Sequence, residues 1–393
     1  MPPVKQICQS PYSRDPQYLM ALFSAVAEQT MGRQLAIQQI KSASVFPEMV
    51  SVQGRHTLYW DLQYWEFFER FLLELSYLLE NKAYEEQFSR RVLALYYDYL
   101  ALKLLHIPGL AYCIQVNRER KFGLEDEQKG TSPQGTLPLI GSRYESGAFY
   151  ARFLVFYHEF FHLYYKLNPA VKAEDIKRLN RLADFYCGEA WFNDLGNDDA
   201  DLLLKEGLET MLTSGPDKLL EEASCDYRAL VETISIQRKL TNLDGVFVRE
   251  LKQIHDAFHI NQTFLSYLTN ILSCWETVYH VYHHADSSAD FLRKCKPYFD
   301  RASHMAIIRN SIIPAFLDKL NMQKFHVSTY TSILSEPYVK ATLQKVGDQM
   351  VDYNFMFYAI EEAIRLSHLP HYDLFELKDI VLDNAGYLPA DKK

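Results

Sequence analysis

The chain of 393 residues is long enough for one large domain or two to three closely packed ones, and its 48% hydrophobic residues predict a sizeable core and a chain folded throughout. Its 50 acidic residues against 41 basic ones give a formal net charge of -9, which is unsuited to phosphate-backbone binding, so we expect no nucleic-acid partner. The six cysteines occur singly and the first residues lack a secretory signal pattern, which together favour a cytoplasmic protein without disulfides or a thiolate metal site.

The first predicted elements combine helix and strand. Apolar residues at helical spacing predict an amphipathic helix over residues 17–40. Two short runs of strand-forming residues, 49–53 and 56–60, flank Gly54 and predict a hairpin. This part of the chain is therefore expected to contribute a small sheet.

Helical patterns dominate the sequence after the hairpin. Helical periodicity covers residues 62–80 and 84–106 and stops near Pro108, and a further strand is predicted at 111–116. Residues 117–147 concentrate glycine, proline, serine and charge, which predicts a long loop or a domain boundary. Beyond this loop almost every segment has helical spacing. We therefore predict an α+β fold that is predominantly helical, with a small N-terminal sheet and a helical C-terminal part.

Three regions are expected on this basis. Residues 1–117 form a mixed helix and strand region, residues 118–240 form a core region, and residues 241–393 form a helical C-terminal region. The most apolar segment, 148–165, lies in the core region. It contains Arg152 and further polar groups that would be costly in lipid, so we predict a buried helix and no membrane span.

A His-Glu-x-x-His motif lies in that apolar helix, at His158, Glu159 and His162. Because a helix turns about 100° per residue, the two histidines share one face and can bind the same metal ion. Glu159 projects beside them, where its carboxylate can take the proton of a zinc-bound water as that water attacks a carbonyl carbon. The motif therefore predicts a Zn²⁺ site and a metallopeptidase with Glu159 as the general base.

A catalytic zinc site usually has a third protein ligand, which another segment must supply. The preferred candidate is Glu222, because it flanks the apolar stripe of a later helix, whereas Glu221 points nearly opposite that stripe. Asp226 lies one turn further along the same face and is placed to accept a hydrogen bond from the outer ring nitrogen of a ligand histidine. Glu189 is a rival third ligand, although Asn193 occupies the position where it would need a matching acid.

The patterns His158-Glu159-x-x-His162 and Glu222-x-x-x-Asp226 resemble the gluzincin branch of zinc metallopeptidases, in which HExxH on one helix is completed by the glutamate of a later ExxxD. The resemblance covers residues 147–240 and implies a zincin-like active-site helix and hydrolysis of peptide bonds in a protein or peptide substrate. It implies one set of roles: zinc ligands at His158, His162 and Glu222, the base at Glu159, and a partner of a ligand histidine at Asp226.

Two alternatives stay open. A non-catalytic helical scaffold or interaction protein could keep a peptidase-like fold, but Glu159 would then have no task between the two histidines. A carboxylate-bridged di-iron protein could use Glu159 and His162 as one ExxH element, but the sequence has no second one. Further histidines occur at ligand-like spacing without a paired glutamate and are expected to be core or surface groups, namely His255, His259, His280, His283 and His284.

Overall fold

The fold is given by a computed structural model, which describes residues 16–32, 35–41, 47–104, 108–122, 137–187, 217–240, 244–282, 290, 293–294 and 333–350. Helices predominate in these ranges and three strands form one sheet, which confirms the predicted α+β, mainly helical fold. None of the helices in these ranges has an apolar stretch sufficient for a membrane span.

The elements follow one another in this order: α1 (Pro16–Met31), β1 (Ala36–Ile40), β2 (Glu48–Val52), β3 (Arg55–Asp61), α2 (Leu62–Glu80), a 3₁₀ turn (Lys82–Tyr84), α3 (Glu85–Lys103), α4 (Pro108–Phe122), α5 (Leu137–Leu167), α6 (Pro169–Cys187), α7 (Asp217–Leu240), α8 (Asp244–Tyr282), a second 3₁₀ turn (Ile333–Ser335) and α9 (Pro337–Met350).

The sheet has the strand order β1-β3-β2, with β2 antiparallel and β1 parallel to β3. Gln53 and Gly54 both have positive φ, 49° and 76°, as a tight two-residue hairpin turn requires, and the predicted hairpin is confirmed. The predicted helix over 17–40 is right only in its first part. Gly32, with φ of 65°, ends α1 in the left-handed conformation that suits glycine, and the following residues form β1 instead.

Helix α2 begins and ends where the sequence predicts. The Asp61 side chain caps it by accepting a hydrogen bond of 2.8 Å from the backbone N–H of Gln63. The strand predicted at 111–116 is wrong, because these residues belong to α4 and pack against α3. The preceding helix stops before Pro108, as expected, since α3 ends at Lys103. Pro108 itself begins α4, because its fixed φ suits the first turn.

The predicted loop over 117–147 is helical at both ends. Its first residues complete α4, which ends at Phe122, and its last residues begin α5 at Leu137. Glycine, proline and charged residues are typical of loops, which is why composition predicted one. The outer turns of helices also tolerate these residues, so composition alone could not separate the two. The residues between the two helices lie outside the described ranges.

Helix α5 lies at the centre of the packing. It contacts α2, α7 and α8 extensively and also meets α1, α6 and β2. On its α1 side, Phe156 stacks on Phe23 with ring centroids 4.1 Å apart. The hydrophobic core is one cluster that includes Phe71, Phe156 and Phe264, so it joins residues from all three predicted regions. The division of the chain into those regions stays a prediction.

Candidate metal centre

The candidate site lies where α7 packs along α5. Leu230 and Ile234 on α7 are buried, and α7 makes extensive contact with α5. This pairing brings the Glu222 carboxylate to His158 and His162, although α6 lies between the two helices in the sequence.

The two Nε2 nitrogens of the histidines and the carboxylate of Glu222 converge on one point. His158 Nε2 and His162 Nε2 are 3.1 Å apart, and they lie 3.3 Å and 3.6 Å from the two oxygens of Glu222. One donor atom from each residue can be chosen so that all three lie within 4.8 Å of one another.

This donor set fits a zinc ion by its spacing and by its chemistry. Ligands about 2.05 Å from a tetrahedral zinc are separated from each other by about 3.3 Å. The two Nε2 atoms, 3.1 Å apart, and the 3.3 Å from His158 Nε2 to Oε2 of Glu222 are close to that value. Two imidazoles and one carboxylate are also a usual set for catalytic zinc, which leaves a fourth position open. No other group of three metal-binding side chains occurs among the described residues.

The outer nitrogens of the two histidines each face a carboxylate. His158 Nδ1 donates a hydrogen bond of 2.7 Å to Asp226, which is buried. His162 Nδ1 donates one of 3.2 Å to Glu221, whose other oxygen accepts from the ammonium of Lys172 on α6. The prediction that Glu221 points away from this face is wrong. Its carbon chain is long enough to reach back over the first turn of α7 to the histidine.

The pKa values of the site reflect this concentration of charge. Burial acts to lower the pKa of His158, but the carboxylates of Asp226 and Glu222 outweigh it and raise that pKa to about 10. Burial raises the pKa of Glu159, and the two histidines offset only part of the increase. Glu159 is therefore a stronger base than an ordinary glutamate, as proton abstraction from water requires.

The anionic state of Glu221 has a separate cause. Burial acts to raise the pKa of its carboxyl, but hydrogen bonds from Lys172 and His162 outweigh burial and lower it. Glu221 thus stays charged over a wider pH range than an isolated glutamate. The sequence offered a weak signal for it, since it directly precedes Glu222, and no signal for Lys172, which approaches only through the packing of α6 against α7.

A buried ion pair holds α5, α6 and α7 together beside the site. Asp175 on α6 is 1% exposed and accepts two hydrogen bonds from Arg228 on α7, at 2.7 Å and 2.8 Å. Its Oδ2 also accepts a hydrogen bond of 2.9 Å from Tyr165 at the end of α5. Asp175 thus accepts three hydrogen bonds from two helices, which helps to fix the relative positions of the helices that carry the histidines and Glu222.

The other predicted candidates stand apart from this cluster or outside the described ranges. Glu189 lies outside them; among the described residues, Glu222 is the side chain that completes a three-membered donor group with the two histidines. His255 is buried and His259 half-buried on α8, and neither belongs to a metal-binding group among the described residues. No second carboxylate and histidine group for a di-iron centre occurs in the part of the chain that the structure describes.

No protein-family model matches the chain, and comparisons with curated proteins and with solved structures find no match.

Proposed function

We propose that the protein is a zinc-dependent metallopeptidase that hydrolyses peptide bonds in a protein or peptide substrate. The observation that carries the proposal is the convergence of two histidine Nε2 atoms and the Glu222 carboxylate at the separations expected around one zinc ion. His158, His162 and Glu222 would hold the ion. When bound, zinc polarises a carbonyl group and lowers the pKa of a water molecule to about 7.

The geometry of the histidines favours Nε2 as the metal-binding atom on both rings. A carboxylate can only accept, so Asp226 and Glu221 leave the proton of each neutral ring on Nδ1. The two Nε2 atoms lie 3.1 Å apart, so two lone pairs there would repel each other. The carboxylates that raise the pKa of His158 favour a positive charge at this place, which a proton supplies in the absence of metal and a zinc ion would supply in its stead.

Glu159 supplies the base in this proposal. It follows His158 directly on α5, and its carboxylate interacts electrostatically with both histidines and with Glu222, which supports a role for it next to the proposed metal site. Its raised pKa suits it to take a proton from the attacking water and to return that proton to the departing amine. A scaffold protein would have no use for a base at this position.

Metal analysis and one isosteric variant test the proposal. We expect purified protein to contain one zinc per chain, and Glu159→Gln to keep that zinc while losing about 10²- to 10⁴-fold of the hydrolysis rate, because the amide cannot accept the proton. Hydrolysis would be measured on a library of cytoplasmic peptides and proteins. Glu174→Gln on the exposed surface of α6 is the matched control and should keep full activity.

Each contrary result has a distinct meaning. Full hydrolysis by Glu159→Gln would show that Glu159 is not the base. Iron in place of zinc would indicate a mononuclear iron site of two histidines and one carboxylate, and would contradict a peptidase. Protein that binds no metal and cleaves no substrate would favour the helical scaffold.

A further inference from the structure

The two histidines of the candidate site are held by unlike carboxylates. Asp226, the partner of His158, is almost completely buried, and its short side chain has little freedom. Glu221, the partner of His162, has a side chain that is 27% exposed and one methylene longer. A partly exposed glutamate near the start of a helix has solvent as an alternative to His162, so its contact with the histidine needs a cause.

Lys172 provides that cause. The ammonium of Lys172 contacts Oε2 of Glu221 while Oε1 faces His162 Nδ1, so the carboxylate bridges α6 and α5 with one oxygen for each. The Lys172 side chain is 31% exposed, which makes this pair better shielded than an ordinary surface ion pair. The contacts from Lys172 to Glu221 and from Glu221 to His162 therefore connect the surface of α6 with the point where the three donor groups meet.

We propose that Glu221 is a positioning residue for the metal, which sets the tautomer and the ring orientation of His162 and is itself held in place by Lys172. The inference rests on the proposed metal site. Glu221 is not a ligand in this arrangement, because its oxygen faces Nδ1, on the side of the ring away from Nε2 and Glu222. Its position directly before Glu222 means that one turn of α7 supplies both a ligand and the partner of another ligand.

The consequence for metal binding follows from tautomer control. Without an acceptor at Nδ1, the neutral ring of His162 can place its proton on Nε2 and can rotate about its side-chain bonds, and both changes remove a lone pair from the site. An acceptor that stays in place prevents both. A glutamine at position 221 keeps an acceptor oxygen without the charge, whereas an alanine removes the acceptor.

Zinc affinity of the full chain, measured by competition with a chelating dye, tests the inference. We expect Glu221→Ala to weaken zinc binding by about 10- to 100-fold, the usual effect of losing the partner of a ligand histidine. Glu221→Gln should recover only part of the affinity, because the amide keeps an acceptor oxygen but loses the charge, and Lys172→Met should cause a smaller loss than Glu221→Ala. Glu174→Ala, which removes an exposed carboxylate of α6, should bind zinc like the unmodified protein.

Nitrogen-15 NMR of the zinc-loaded protein separates a positioning role from a merely structural one, because only a positioning role changes the chemical shifts of the His162 ring nitrogens. We expect Nε2 of His162 to have the chemical shift of a metal-bound nitrogen and Nδ1 that of a protonated nitrogen. In Glu221→Ala the two chemical shifts should move towards each other or show exchange between tautomers. Unchanged affinity and unchanged ring shifts in Glu221→Ala would overturn the positioning role while leaving the metal site intact. Absence of zinc binding in the unmodified protein would instead overturn the proposed function.

Discussion

Arg228 holds Asp175 through two parallel hydrogen bonds, 2.7 Å from Nε to Oδ2 and 2.8 Å from Nη2 to Oδ1. Asp175 is buried, so removal of Arg228 would leave a carboxylate charge without a partner away from water. Removal of Asp175 would leave the two hydrogen-bond donors of Arg228 without this acceptor. We expect Asp175→Ala to lower the free energy of unfolding by about 3 kcal/mol in urea titrations. Glu174→Ala provides a matched control on the preceding residue, because its ion pair with Arg178 is exposed and should contribute less than about 1 kcal/mol. Equal losses in the two variants would mean that the buried junction does not stabilise the fold.

The choice between Glu222 and Glu189 as third ligand is tested by exchanging each for alanine. Glu222→Ala should weaken zinc binding by more than about 100-fold, since a lost ligand costs more than a lost partner of a ligand. Glu189→Ala should bind zinc normally. Glu232→Ala, on the same helix as Glu222 but outside the donor cluster, controls for damage to α7. The opposite pattern, with Glu189 required and Glu222 dispensable, would assign the ligand to Glu189.

Asp226 is expected to contribute to metal retention although it does not reach the point of convergence. Asp226→Asn keeps the size of the side chain but removes the charge that favours a proton on Nδ1 of His158, so zinc affinity should fall by about 10- to 100-fold. Glu232→Gln removes a carboxylate of the same helix outside the donor cluster and controls for damage to α7. If Asp226→Asn binds zinc as tightly as the unmodified protein does, the hydrogen bond has no role in metal binding.

The features that the sequence predicted well depend on local geometry. Histidines four residues apart share a helix face in any helix, so the pairing of His158 with His162 needed no tertiary information. The bounds of α2 could be predicted from the helical periodicity of residues 62–80, and the structure adds a local reason for its first residue, the cap that Asp61 provides. The hairpin followed in the same way from Gly54, which accepts the positive φ that its turn requires.

The features that the sequence did not predict depend on neighbours far along the chain. The apolar run at 111–116 is too short for its spacing to separate a strand from a buried helix, and contact with α3 makes it helical. Glu221 was assigned to the wrong side because a helical projection ranks positions by angle alone. The crossing of α7 over α5 and the position of Lys172 decide where that carboxylate points, and neither can be derived from the pattern of α7 itself.

The central place of α5 has a consequence for the order of events during synthesis. Its apolar faces are covered by α1 and α2, which emerge early, but also by α8, which is completed only at Tyr282. The two histidines are therefore made long before the helices that hold them rigid have left the ribosome. Under the proposed function, zinc would bind late, after α7 and α8 have docked, because Glu222 reaches the two histidines only once α7 packs on α5.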